Sequence, residues 1–101
     1  MLMVNVDYIP NKELEVLGIV EGSFMETFSD TSTHSLSTYQ ELLNTGRQKA
    51  IHKMSNEAKR LGGEAIINLR FATHTPINGV VELFVYGTAV KYKISNELQQ
   101  F

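Results

Sequence analysis

Apolar and polar residues alternate along this chain in stretches that are punctuated by turn signals. Leu14-Glu15-Val16-Leu17-Gly18-Ile19-Val20 sets Leu14, Val16, Gly18 and Val20 on one face and Glu15, Leu17, Ile19 and Glu21 on the other. The second face stays apolar at its centre, so the pattern predicts a strand covered on both sides. Gly18 in mid-strand points to a bulge or a close neighbour, and Gly22 reads as the end of the run. Upstream, Asn5 to Lys12 is turn-rich, with Pro10 and Asn11 adjacent.

A helix is predicted from the capping box Thr38-Tyr39-Gln40-Glu41 to about Leu61. In such a box the hydroxyl accepts from the amide three residues on, and that residue's carboxylate reaches back. Tyr39, Leu43, Arg47, Ala50, Met54, Ala58 and Leu61, joined by Leu42 and Gly46, recur at helical steps. Gly46, Ala50 and Ala58 would let that stripe approach a sheet closely. Lys59 and Arg60 oppose the negative end of the helix dipole, and Gly62 supplies a left-handed stop. Between strand and helix, Ser23 to Ser37 carries Phe24, Met25, Phe28 and Leu36 among Ser and Thr residues. It reads as a loop, a strand extension or a helical turn, its aromatics expected to dock on a neighbouring subunit.

Beyond the helix, Ala65, Ile67, Leu69 and Phe71 alternate with Ile66, Asn68, Arg70 and Ala72. Thr75-Pro76-Ile77-Asn78-Gly79 is a turn by both Pro and Asn-Gly. Val80 to Tyr92 then forms a last strand, with Val81, Leu83, Val85, Gly87 and Ala89 opposed to Glu82, Phe84, Tyr86, Thr88 and Val90. Ser95 to Phe101 reads as a tail or terminal helical turn. The expected class is α+β, a two-layer β-α-β-β unit with an antiparallel sheet. One helix covers only one face of such a sheet, so the other face needs a partner.

Composition narrows the functional classes. A chain of 101 residues fits one domain, residues 1–101. Charged residues make up 20%, below the usual quarter, which leaves less surface for solvation and favours association. A net charge of −2 offers no basic footprint for nucleic acid. Arg47, Lys49, Lys53, Lys59 and Arg60, interspersed with Glu57, read as a solvated helix face. The chain has no cysteine, which excludes disulfides, thiolate metal sites and cysteine nucleophiles. Neither a signal peptide nor a membrane-length apolar run is visible, so a cytoplasmic protein is expected.

Three segments resemble the YbjQ-like family of bacterial proteins, which carries a label of heavy-metal binding. The helix from Arg47 to Arg60 runs into Leu61-Gly62-Gly63-Glu64-Ala65-Ile66-Ile67. The closing strand Val85-Tyr86-Gly87-Thr88-Ala89-Val90 looks like the family's terminal segment, and Leu17-Gly18-Ile19-Val20-Glu21-Gly22 looks like its first strand and turn. Together they span most of Leu14 to Lys91. The resemblance implies a subunit similar to dodecin subunits and a homopentameric ring, with strands forming a central barrel and helices outside. The Ser/Thr-rich stretch from Thr27 to Ser37 departs from the family's pattern.

The family label makes a divalent metal ion the cofactor to look for. The candidate ligands are His34, His52 and His74, in loop, helix and strand, and no pair has the spacing that sets two imidazoles on one helix face. A ring could gather one histidine per subunit, or add Glu26 and Asp30. Catalysis is not expected: Asp30-Thr31-Ser32-Thr33-His34-Ser35 is a neighbourhood in sequence, whereas a triad is defined by spatial roles. A small apolar ligand could enter crevices between subunits lined by Tyr39, Phe71, Phe84 and Tyr86. Gly62-Gly63 precedes a strand, so it is no phosphate loop. The expected subunit interface comprises Val85, Tyr86, Val90, Phe84 and Phe28.

Overall fold

A computed structural model describes residues 1–27 and 36–94. Its elements in chain order are β1 (Leu2–Met3), β2 (Leu14–Thr27), α1 (Leu36–Arg60), β3 (Ala65–His74) and β4 (Val80–Tyr92). The sheet order is β1-β3-β4-β2. β4 is antiparallel to both β2 and β3, while β1 runs parallel to β3. The fold is α+β as expected, but the sheet is mixed and four-stranded. Two residues are too few for β1 to show as a pattern in sequence.

α1 lies over β2 and β4. Ala50, Met54 and Ala58 from the helix meet Val20, Ile66, Val85 and Ala89 from the sheet in one buried cluster. The small helix residues set the spacing, and Gly22 completes it. A Cβ built on Gly22 would stand 2.0 Å from the Ala50 carbonyl oxygen. Gly22 therefore does not end β2, which runs on to Thr27; glycine is there because two backbones touch. Gly62, at φ 85°, ends the helix as its position predicts. α1 begins at Leu36, upstream of the expected cap; the Thr38 side chain lies outside the described residues, as do Phe28, Asp30, His34 and the segment 95–101.

Bulges re-aim the strands. The β2 register slips between Val16 and Gly18, where a bulge was expected. A second slip, between Ile67 and Arg70, was not foreseen. Asn68 there takes φ 55°, and its amide donates to the Val6 carbonyl at 2.9 Å. One extra residue reverses the facing of everything after it. Leu69 joins Ile66 at the helix-side core, so the single face read for Ala65, Ile67, Leu69 and Phe71 is broken in two. The far side of the sheet is covered at one end only, where Ile9 and Val4 pack on Ala65, Ile67 and Val90.

Candidate functional site

Directly paired residues of an antiparallel ladder point to the same face. The pairs Ile19–Thr88, Glu21–Tyr86, Ser23–Phe84 and Met25–Glu82 therefore form one surface, on the side away from α1. No element among the described residues covers it. Ile19 keeps 79% of its surface, Met25 57% and Tyr86 41%. The Phe84 and Tyr86 rings stand 6.2 Å apart and tilted, giving the stripe an aromatic centre. A second uncovered spot lies on the helix side. Phe71 pairs with the buried Val85 but keeps 51% of its own surface, because it stands on β3, beside the strands that α1 covers.

The outer edge of β2 borders this face. Lys53 Nζ reaches over from α1 and donates to the Ser23 carbonyl at 3.0 Å. An open groove of about 490 Å³ runs along the edge, lined by Ile19, Glu21, Ser23, Lys53, Glu57 and Phe84. Glu57 is tied to Arg60 through both carboxylate oxygens. That hydrogen bond, with a lesser charge attraction, holds the partly exposed Glu57 carboxyl below its ordinary range.

The histidines are not brought together. His52 is exposed on α1, and His34 lies outside the described residues. His74, at the end of β3, places Nε2 2.9 Å from Glu82 Oε1 across the ladder. Among the described residues no group of three or more His, Asp or Glu is placed to hold a metal ion. A closed zinc site takes four donors and an open one three, so the described part of one subunit does not fit a metal.

The expected interface residues divide. Val85 and Val90 are fully buried by this chain's own residues and offer no side chain to a second subunit. Phe84 and Tyr86 retain open surface, and Phe28 lies outside the described residues. Ile19 and Met25 are not among the expected interface residues, although the apolar centre of the second β2 face is the sequence signal for Ile19. Nothing in the sequence pattern marks Lys53 as an edge residue.

A helix on one side of a mixed sheet, with a bare apolar stripe and no internal ligand cluster, defines a small α+β module whose candidate site is a surface. The YbjQ family model, described as "Putative heavy-metal-binding", matches residues 1–93, and this chain belongs to that family. A UPF0145 protein of Clostridium novyi (strain NT) is 39% identical, over 90% of this chain and 98% of its own length. One of Alkaliphilus metalliredigens (strain QYMF) is 39% identical over 91% and 99%. A crystal structure from Pediococcus pentosaceus, of a DUF74-family protein of unknown function, superposes with a TM-score of 0.69 at 20% identity, covering 92% of this chain and 98% of that one. It shares the fold. No helix among the described residues is long and apolar enough to cross a membrane.

Proposed function

We propose that this chain is a binding or structural module, not an enzyme, that works as a homo-oligomer with further copies covering its bare sheet face. The observation that carries this reading is the stripe of Ile19, Met25, Phe84 and Tyr86, an apolar surface continuous with an unpaired strand edge. The family resemblance favours a five-membered ring with the helices outside as the form of that assembly. Native mass spectrometry, before and after a chelator, tests the reading. A bare oligomer supports a scaffold, extra mass identifies a bound ion or small ligand, and a monomer at micromolar concentration overturns it.

Metal binding is the second reading, favoured by the family description and by the His74–Glu82 pair. One subunit supplies two donors there, so the site would need donors from neighbouring copies or from the segment that carries His34. Loss of stoichiometric metal on His74→Ala would support it.

A further inference from the structure

We infer that Asn78, at the tip of the β3–β4 hairpin, is a site of self-modification. Its side-chain amide is lost to attack by the Gly79 backbone nitrogen, leaving aspartate or isoaspartate in the turn. The reaction depends neither on assembly nor on a metal.

Ile77 to Val80 is a β-turn closed by the Val80 amide, which donates to the Ile77 carbonyl at 3.1 Å. Asn78 and Gly79 are its two central residues. Gly79 carries the left-handed φ of 81°, while Asn78 keeps a negative one, the arrangement of a type II turn. Asn78 is exposed, and among the described residues no backbone carbonyl accepts from the Gly79 amide. The nitrogen that attacks therefore carries no bond that must first break, and glycine has no side chain to block its approach. The other described asparagines lack one of these conditions. Asn44 and Asn56 lie within α1, where the following amide is held in the helix ladder. Asn68 is followed by Leu69, whose amide donates to the Val4 carbonyl at 3.0 Å, and Asn11 by Lys12, whose amide donates to the Ile9 carbonyl at 3.2 Å. Asn5 is followed by the β-branched Val6, and its own carbonyl is held by Arg70. Asn78 alone precedes a glycine.

The step balances with water as the sole co-reactant. A solvent base takes the Gly79 amide proton, and the nitrogen bonds to Cγ of Asn78. The Cγ–Nδ2 bond breaks, and ammonia leaves with a proton from water. Water then opens the five-membered imide at one of its two carbonyls. Cleavage at Cγ restores the backbone as aspartate, whereas cleavage at the main-chain carbonyl carbon reroutes it through Cβ and Cγ as isoaspartate. Both products add a negative charge. The second also adds a backbone atom inside the turn, directly before the buried Val80 and Val81, which pair with Thr27 and Glu26 of β2. An extra atom between Ile77 and Val80 spoils the fit of the turn, so isoaspartate loosens this end of the sheet and aspartate does not.

The test uses the whole chain, incubated at mildly alkaline pH both folded and in urea, then digested with trypsin. Cleavage after Arg70 and Lys91 isolates residues 71–91, in which Asn78 is the single asparagine. Mass spectrometry reads amide loss in that peptide, and labelling by an isoaspartyl methyltransferase tells the two products apart. In the folded chain Asn78 should convert at least roughly tenfold faster than Asn44 or Asn56, whose amides are released only when the helix opens. Asn78→Gln should abolish the change, because its ring would need six members. Conversion no faster than at the helical asparagines, or slowed by more than about tenfold relative to the chain in urea, overturns the site. Hydrogen exchange at Thr73 to Glu82 should quicken in the isoaspartyl fraction and stay as in the parent for Asn78→Asp. Equal exchange in the two would overturn the effect on the hairpin.

Discussion

Gly22 and Ala50 hold β2 and α1 in backbone contact: a Cβ on Gly22 would stand 2.0 Å from the Ala50 carbonyl oxygen and 2.9 Å from the Met54 amide. Neither obstacle is a side chain that can rotate away. Gly22→Ala must therefore push the helix off the sheet, opening the cluster that contains Val20, Met54 and Val85. We expect a loss of about 3 kcal/mol, the upper end for overpacking, and a Tm lower by ~10–20 °C. Gly62→Ala is the control, since its φ is 85° but no atom lies within 4 Å of the added carbon. It should cost about 1 kcal/mol. Equal shifts in thermal melts would refute the close-contact argument.

Val85→Asp should abolish folding. Val85 is fully buried in the helix-side cluster, and a carboxylate there would have neither water nor a partner. Its effect on assembly is then secondary to the loss of the subunit. A Val85→Asp chain with wild-type circular dichroism would contradict the placement.

Much of the fold was legible because its signals are local. The stripe from Gly46 to Ala58 and the stop at Gly62 follow from helical geometry and from φ at one residue. The β4 alternation is visible because no bulge interrupts it. What escaped depends on tertiary contact. Gly22 is punctuation in sequence and a contact point in space. Asn68 gives no sign that Val6 will draw its amide outward and shift the strand by one residue. Ile9 becomes a core residue only because the N-terminal segment folds back over Ala65 and Val90. The candidate surface was half visible: a face needing cover could be read from β4, but its residues depended on the register to β2.

Glu57 and Arg60 give a pH-dependent local signal. The Arg60 hydrogen bond lowers the Glu57 carboxyl from its ordinary 4.5. Because the folded value lies below the unfolded one, the pair's contribution is complete above that ordinary value and fades as pH falls through the lowered one. An NMR titration should find Glu57 ionising below 4.5 in the native chain and returning toward it in Arg60→Gln. Both side chains are exposed, so thermal stability should hardly change. An unmoved Glu57 titration would show that the hydrogen bond does not persist in solution.

Ile19→Asp separates folding from association. Ile19 is the most open large apolar residue of the bare face, and its removal takes nothing from the core under α1. We expect the circular dichroism of the wild type, with stability changed by no more than about 0.5 kcal/mol for the subunit itself. Association should fall sharply, because the aspartate would be desolvated at the contact. Sedimentation of Ile19→Asp as the wild-type oligomer would mean that copies do not meet through this face.

The metal reading turns on His74 and Glu82. Their Nε2–Oε1 contact of 2.9 Å is equally what a simple cross-strand ion pair would show, and the two cases differ in how they respond to a metal. A binding site should take up zinc in a fixed ratio to subunits and lose it on chelation, with His74→Ala and Glu82→Gln each lowering affinity at least tenfold, since a site of three or four donors is left short by one. His52→Ala should change nothing, because His52 stands exposed on α1 with no described carboxylate paired to it. An ion pair alone predicts no stoichiometric zinc in any variant. Equilibrium dialysis with metal analysis distinguishes them, and uptake that survives both substitutions would move the site to the segment carrying His34.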